Sequence, residues 1–279
     1  MAGIWRFNGS GWDQGKKAWV YNGSGWVEGK KAWTFDGNNW IQRWNSEILV
    51  DVTTTNHNFN PGDLHAMMLA AAGGAWPSGS TFIITIHEGV QLVSMNETSA
   101  CIWLGGAIAQ NNLIRIINRG HILGRGGRGN GAENNGRVRW GSPGGPAIIC
   151  DAAGGLMNVE IANYGVIGGG GGGGAGDSTD TATGIMGGGG APFGAGGLNS
   201  DGSHGNNGKN ASYDVPGDPS RAGTPNQRGG SGGGWGLPGV GGFGYGRPVP
   251  AQPPGAAVIV TNGAGFGWIA RGDIRGSAP

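Results

Sequence analysis

The side chains that could do chemistry in this chain of 279 residues are few and scattered. Its five histidines are His57, His65, His87, His121 and His204, and none has a neighbour at metal-ligand spacing. Asp177, Asp180, Asp201, Asp214 and Asp218 fall in stretches rich in Gly, Ser and Thr. A glycosidase would place two such carboxylates across a scissile bond. Asp in such a setting more often closes a turn on its own backbone. The reading is therefore of a chain without catalytic residues, without a metal site and without a cofactor. Arg125-Gly-Gly-Arg128 is a single copy of a motif that nucleic-acid binders repeat. Arg271-Gly-Asp273 is an isolated tripeptide, and the Asn96-Glu-Thr98 sequon has no secretory signal to support its use.

Polar and aromatic groups suited to recognition are concentrated instead in residues 198–228. His204, Asn206, Asn207, Lys209, Tyr213, Asp214, Arg221 and Arg228 lie there, with Pro216, Pro219 and Pro225. Loops this long in compact domains are usually functional or disordered. Adaptable polar groups around an aromatic anchor suit binding, and proline lowers the entropy lost on it. Two shorter polar segments add Arg137 and Trp140, and Asp177 and Asp180. These twelve residues are the candidate recognition set.

The net charge of +1 gives no bulk electrostatic case for nucleic acid. The longest strongly apolar run, near residues 82–86, is far short of a membrane span. The start, Met1-Ala-Gly-Ile-Trp-Arg, has no signal-peptide pattern, so synthesis in a cytosol without export is expected. Cys101 and Cys150 are read as two reduced, buried thiols.

The elements that must position the loops are built around glycine. Of 66 glycines, 15 precede residue 120 and 51 lie from residue 120 onward. Gly168, Gly169, Gly170, Gly171, Gly172, Gly173 and Gly174 are consecutive, and Gly187, Gly188, Gly189 and Gly190 form a second run. Glycine loses the most backbone entropy on folding, so a packed role needs compensation. Collagen's strict period of three is absent, and helix and sheet both disfavour polyglycine. What remains is the polyproline-II-type helix, bonded laterally to copies of itself. Such helices can pack on every face only if no face carries a side chain. Residues 168–174 are expected to be a central helix of about 20 Å, within a polyglycine-II sandwich over residues 120–279. Ile, Val, Trp and Phe at intervals mark a folded object rather than a linker. Two echoes stand out: Pro146-Ala-Ile-Ile-Cys150 with Gly255-Ala-Ala-Val-Ile-Val260, and Ile117-Asn-Arg-Gly-His-Ile-Leu-Gly124 with Ala162-Asn-Tyr-Gly-Val-Ile-Gly168.

Two further regions precede the glycine-rich one. Residues 45–119 read as a small α+β attachment module. Asn60 caps a helix with Pro61 at its first position, Asp63 at its third and Gly73 as its stop. Strands are expected over 81–87, 90–95, 100–104 and 113–118. Residues 1–44 carry a 14-residue repeat in two copies and a truncated third. Trp5, Trp12, Trp19, Trp26, Trp33 and Trp40 recur every seven residues. Asn-Gly and Asp-Gly between aromatic runs signal β-hairpins. Hairpins this small bury little alone, so their Trp face is expected to dock on a partner surface.

Residues 117–129, residues 161–174 and Gly187-Gly-Gly-Gly-Ala-Pro-Phe-Gly194 resemble the tail-fibre tip adhesins of T-even-type bacteriophages. His57-Asn-Phe-Asn60 before a short helix resembles the region that precedes the glycine motifs there. The resemblance covers about residues 55–279. It implies a polyglycine-II sandwich seated as a monomer on a trimeric tail-fibre protein, at the distal tip of the virion's fibre. It also implies variable loops that bind an outer-membrane protein or lipopolysaccharide. The Trp repeat is not part of that resemblance. Alternatives are a carbohydrate or cell-wall module, because the Trp repeats distantly resemble choline-binding repeats, and a structural or ice-binding polyglycine-II protein.

Overall fold

The computed structural model describes residues 4–7, 12–15, 18–21, 23–29, 31–35, 40–45, 47–77, 79–132, 138–176, 185–198, 207–220, 227–244 and 247–279. The chain opens with three antiparallel hairpins: β1 (Ile4–Phe7) with β2 (Trp12–Gly15), β3 (Ala18–Tyr21) with β4 (Trp26–Gly29), and β5 (Lys31–Phe35) with β6 (Trp40–Asn45). The third copy, truncated in sequence, closes a hairpin all the same. The expected exposed stripe of tryptophan side chains lies outside the described residues.

A parallel β-solenoid follows. Its first coil is β7 (Glu47–Val52) and β8 (Asn56–Phe59), then the helix α1 (Pro61–Ala71). The second coil is β9 (Thr81–Ile86), β10 (Gln91–Ser94) and β11 (Ile102–Leu104). The third is β12 (Asn112–Asn118) and β13 (His121–Leu123). After an insertion carrying β14 (Gly131–Ala132) and β15 (Val138–Arg139), it closes with β16 (Ile148–Asp151). The fourth is β17 (Met157–Asn163) and β18 (Val166–Gly168). A longer insertion holds β19 (Gln227–Arg228), β20 (Gly242–Gly244) and β21 (Arg247–Val249), and β22 (Val258–Thr261) closes the coil. The fifth is β23 (Gly265–Ala270) and β24 (Asp273–Arg275).

Stacking the coils makes three parallel sheets, ordered β7-β9-β12-β17-β23, β8-β10-β13-β18-β24 and β11-β16-β22. Alternation turns every second residue inward. Val50, Ile84, Ile116 and Ile161 share one column of the first sheet, and Ile102, Ile148 and Val258 one column of the third. All are buried in one core. At the corner after the first sheet, buried Asn118 donates from Nδ2 to Oδ1 of Asn163 (2.8 Å), and Asn163 donates to the carbonyls of Arg271 and Asp273 (2.9 and 3.1 Å). The two echoes in the sequence are therefore successive coils. Ile148 pairs with Val258, and His121 with Val166.

The region 45–119 thus differs from the expected α+β module. Its strands are parallel, and they stack on strands from 148–168 and 258–275 rather than closing a core of their own. The helix is as expected. Asn60 and Asp63 form a reciprocal capping box, Pro61 opens the helix, and Leu64 and Met68 face the core. Cys101 and Cys150 are free and buried, and burial pushes the Cys150 thiol up to about 12.

The two insertions form a glycine lattice on the solenoid. In residues 168–175 every third residue bonds the same neighbour. Gly170 and Gly173 donate to Gly145 and Ser142 (2.8 and 3.2 Å), Gly171 and Gly174 to Ala191 and Gly188 (2.7 and 2.8 Å), and Gly172 and Ala175 to Leu237 and Val240 (3.0 Å each). The carbonyls of Gly168, Gly171 and Gly174 accept from Gly124, Gly127 and Asn130 (2.9, 2.8 and 3.0 Å). Those of Gly170 and Gly173 accept from Gly255 and Gln252 (2.8 and 3.1 Å), and those of Gly169 and Gly172 from Gly236 and Gly233 (2.7 and 2.8 Å). Six chain segments surround one. A Cβ on any residue from Gly169 to Gly174 would collide with a neighbouring backbone carbonyl. Residues 187–191 have the same recurrence: Gly187 and Gly190 donate to Asn130 and Gly127, and Gly188 and Ala191 to Gly230 and Gly233.

Candidate functional site: the free end of the glycine lattice

The lattice has two ends of different character. At one, Gly168 lies in β18, and residues 124, 145 and 255 lie directly beside strands of the solenoid. At the other, the chain leaves the described residues after 132, 176, 198, 220 and 244, and returns at 138, 185, 207, 227 and 247. These departure points are neighbours. Gly187 donates to Asn130 (3.0 Å), Gly197 to Gly187 (2.9 Å), Gly208 to Gly197 (2.9 Å), Ser220 to Met186 (3.0 Å) and Gly230 to Ala175 (2.8 Å). Gly242 lies against the carbonyls of Gly176 and Arg228. All five connections therefore start from one end. About eight residues at roughly 3.1 Å each separate it from the solenoid.

Arg137, Asp177, Asp180, His204, Asn206 and Arg221 lie outside the described residues, within those five connections. Trp140 is described and stands at this end, 59 % exposed, next to Gly141, whose N–H donates to Asn130 Oδ1 (2.6 Å). Arg228 is exposed and borders a shallow depression lined by Val240, Phe243, Pro248, Val249 and Pro250. Sequence reasoning missed this apolar lining, together with Leu198 at 53 % and Val240 at 55 % exposure. The only signal was large side chains alternating with glycine over 229–246.

The expected single loop 198–228 is corrected by its middle. Residues 207–220 re-enter the lattice: Gly189 donates to Lys209 (3.1 Å), Gly217 to Gly189 (2.8 Å) and Gly232 to Gly217 (2.9 Å). Lys209 is exposed and pairs with Asp218 (3.4 Å). Tyr213 is carried back to the solenoid. Its hydroxyl lies 2.6 Å from His121 Nδ1 on β13, and its ring stacks on His57 at 5.4 Å. Trp235 donates from Nε1 to the Tyr213 carbonyl (2.7 Å) and packs edge-on to the ring at 5.1 Å. Phe193 closes the cluster at 5.9 Å. Two guanidiniums cover it, Arg125 at 5.7 Å over Phe193 and Arg275 at 4.9 Å over Trp235. Burial, with Arg275 adding to it, lowers the His121 pKa below 6.5, and burial raises that of Tyr213. Tyr213 and its exposed neighbour Asp214 are thus separated from the lattice end that bears Trp140 and Arg228. Asn207 is half-buried at the point where the chain returns to the lattice.

Other sequence candidates are absorbed by packing. Arg125 donates to the carbonyls of His57 and Ser94 (3.2 Å each), so Arg125-Gly-Gly-Arg128 is a lattice entry. Arg271-Gly-Asp273 turns between β23 and β24, with Gly272 at φ +53°. Among the described residues no group of three or more His, Cys, Asp or Glu could hold a metal ion.

Comparison with known proteins follows the same outline. A family profile described as phage tail fibre adhesin Gp38 matches residues 47–279, the solenoid and lattice without the hairpins. The crystal structure of the gp37-gp38 adhesin tip complex of the bacteriophage S16 long tail fiber matches with a TM-score of 0.64 and 31 % identity, over 85 % of this chain and 83 % of that one. No curated protein matches. With a profile spanning well over half of its length, the chain belongs to the Gp38 phage tail fibre adhesin family.

Proposed function

We propose that this tail-fibre adhesin sits at the distal tip of the fibre and binds a bacterial surface receptor, an outer-membrane protein or lipopolysaccharide, through the five connections at the free end of its lattice. It acts by binding, without catalysis or a cofactor. The lattice is a polyglycine-II sandwich; the period of three in its hydrogen bonds and the six neighbours of residues 168–175 support this, because a polyproline-II-type helix has three residues per turn. The candidate contact residues are Arg137, Trp140, Asp177, Asp180, His204, Asn206, Arg221 and Arg228. Asn207, Lys209, Tyr213 and Asp214 support the segment between two of the connections. The hairpins over residues 1–44 dock on the fibre protein, in keeping with a structural relative that is a gp37-gp38 complex.

One observation carries the reading. Connections far apart in sequence start from a single end, and their flanks are held by backbone bonds that do not depend on what lies between. Function carried by loops on a rigid frame is the general pattern. Replacing residues 199–206 and 221–226 with those of another adhesin, and leaving 207–220 intact, should change the range of bacteria bound. The melting temperature should move by no more than about 2 °C, in line with surface changes worth under about 0.5 kcal/mol. Unchanged adsorption to host cells would refute the assignment.

A further inference from the structure

The free end of the lattice carries one piece of ordinary sheet. β19, β20 and β21 pair antiparallel there, and Arg228, Phe243 and Pro248 stand directly opposite one another across the three strands. Cross-strand partners point to the same face. Val240, Val249 and Pro250 complete an open depression around this row. The lattice fixes it. Val240 donates to the Ser231 carbonyl (2.8 Å), and its own carbonyl accepts from Ala175 (3.0 Å) at the end of residues 168–175. A Cβ on Gly242 would collide with the Gly176 carbonyl, so β20 is seated directly on that segment. Connection 221–226 leads into β19, and connection 245–246 joins β20 to β21.

The chemistry of the depression suits an apolar side chain. Among the described residues that line it, Arg228 carries the only side-chain hydrogen-bonding group. A sugar ring brings hydroxyls on most of its carbons. Each one taken from water needs a partner that these walls do not offer. Phenylalanine, valine and proline walls instead gain by covering aliphatic or aromatic surface. Proline has no rotamer freedom to lose when it does so. Arg228 is exposed, and among the described residues no carboxylate pairs with it. A guanidinium on the rim of an apolar wall favours a carboxylate beside the inserted group.

We infer that this depression is a fixed anchor subsite for a protein receptor. It takes an apolar side chain from an exposed loop of an outer-membrane protein, with a neighbouring Asp or Glu held by Arg228. This rests on the reading that the free end binds the receptor, and it commits that end to protein rather than to lipopolysaccharide. The subsite supplies affinity common to every set of connections, and the connections choose among receptors. A few anchors carry most of the energy of an interface, and aromatic residues and Arg predominate among them. Phe243 and Arg228 are the two such residues on this wall.

The test uses the full chain and three probes from one host strain: outer-membrane vesicles, the same vesicles after a protease has cut their exposed loops, and purified lipopolysaccharide. The chain should bind intact vesicles, bind digested ones about tenfold or more weakly, and leave lipopolysaccharide unbound at the same concentrations. Phe243→Ala should weaken binding to intact vesicles by about tenfold or more, Arg228→Gln by about three- to tenfold, and Arg228→Glu by more than Arg228→Gln. Arg228 is exposed, so its variants should melt within about 2 °C of the parent and carry the test even if Phe243→Ala unfolds. Leu237→Ala, 59 % exposed beside Gly172 and away from the free end, should bind as the parent does. In a chain whose segments 199–206 and 221–226 come from another adhesin, Phe243→Ala should cost as much on vesicles of the new host. Binding that survives digestion, equal binding to lipopolysaccharide, or Phe243 and Arg228 variants that bind like the parent would each overturn the anchor and leave the free end as the receptor surface. A segment exchange that changes nothing would overturn the wider reading, and the anchor with it.

Discussion

Gly171→Ala adds one methyl group where the lattice has no room for it. The new Cβ would overlap the Gly233 carbonyl and lie 2.5 Å from the Gly234 oxygen. Both obstacles are backbone, so no side chain can swing aside. Relief requires moving residues 233–234 outward by about 1 Å, since a carbon–oxygen contact needs more than 3 Å. That shift strains Ala191 N–H to Gly233 (2.9 Å) and Gly233 N–H to Gly172 (2.8 Å), both in the interior. A buried group left without its partner costs about 1–3 kcal/mol, and overpacking adds about 1–3 kcal/mol. The smaller entropy of the unfolded alanine chain returns only about 0.4–1 kcal/mol. The expected loss is about 1–5 kcal/mol, a large share of the roughly 5–15 kcal/mol that holds a domain together. Near 2–4 °C per kcal/mol, this is a fall in melting temperature of about 2–20 °C. Gly171→Val should fall further. The matched control is Gly267→Ala on β23, where a Cβ meets nothing within 4 Å. It should leave the melt unchanged or raise it slightly. Both are read by calorimetry on the purified chain. If Gly171→Ala melts within about 2 °C of the Gly267→Ala protein, residues 168–175 are not enclosed on all sides.

Three other outcomes are expected. Tyr213→Ala should destabilise the chain by about 3–5 kcal/mol, the usual cost of emptying an aromatic site, and any loss of adsorption should follow the melt. Stability should rise with pH up to about 6.5 through His121. The folded chain holds its pKa below 6.5, so between the two values the unfolded chain binds more protons. The contribution is complete above 6.5 and is lost as pH falls toward the folded value. His121→Gln should flatten that slope in melts taken from pH 5 to 8. Deleting residues 1–46 should leave a cooperative melt and abolish binding to the fibre protein, because the solenoid starts at β7 and the family match at residue 47.

The sequence carried the local structure well and the global order less well. The capping box of Asn60 and Asp63, the seven glycines and the hairpin turns act over a few residues, and each could be read from chemistry alone. The solenoid was visible only as two echoes. Coils announce themselves by a fixed period, and here the period is broken. Between Leu123 and Ile148 lie 24 residues, and between Gly168 and Val258 lie 89. Insertions of such unequal length hide a repeat that the register makes plain. The misplacement of Tyr213 has a similar origin. Lone glycines such as Gly208 and Gly217 look like loop residues, yet each fits the lattice because it needs only a backbone position without a side chain.

The join between solenoid and lattice explains why glycine begins where it does. Residues 121–123 pair with 166–168 as ordinary parallel strands, each with sheet neighbours on two sides. The same two segments then run on together, with Gly124, Gly127 and Asn130 donating to Gly168, Gly171 and Gly174. The pairing does not stop at β13 and β18; its period changes from two to three. A strand has two free faces and can carry side chains on both. A segment bonded to six others has none, so the side chains must end where the extra neighbours arrive. Backbone bonds alone then fix the frame. An insertion at the free end has only to return to a position that a glycine can occupy. The five connections can therefore change in length and chemistry without cost to the solenoid core, which is what the proposed binding surface requires of its support.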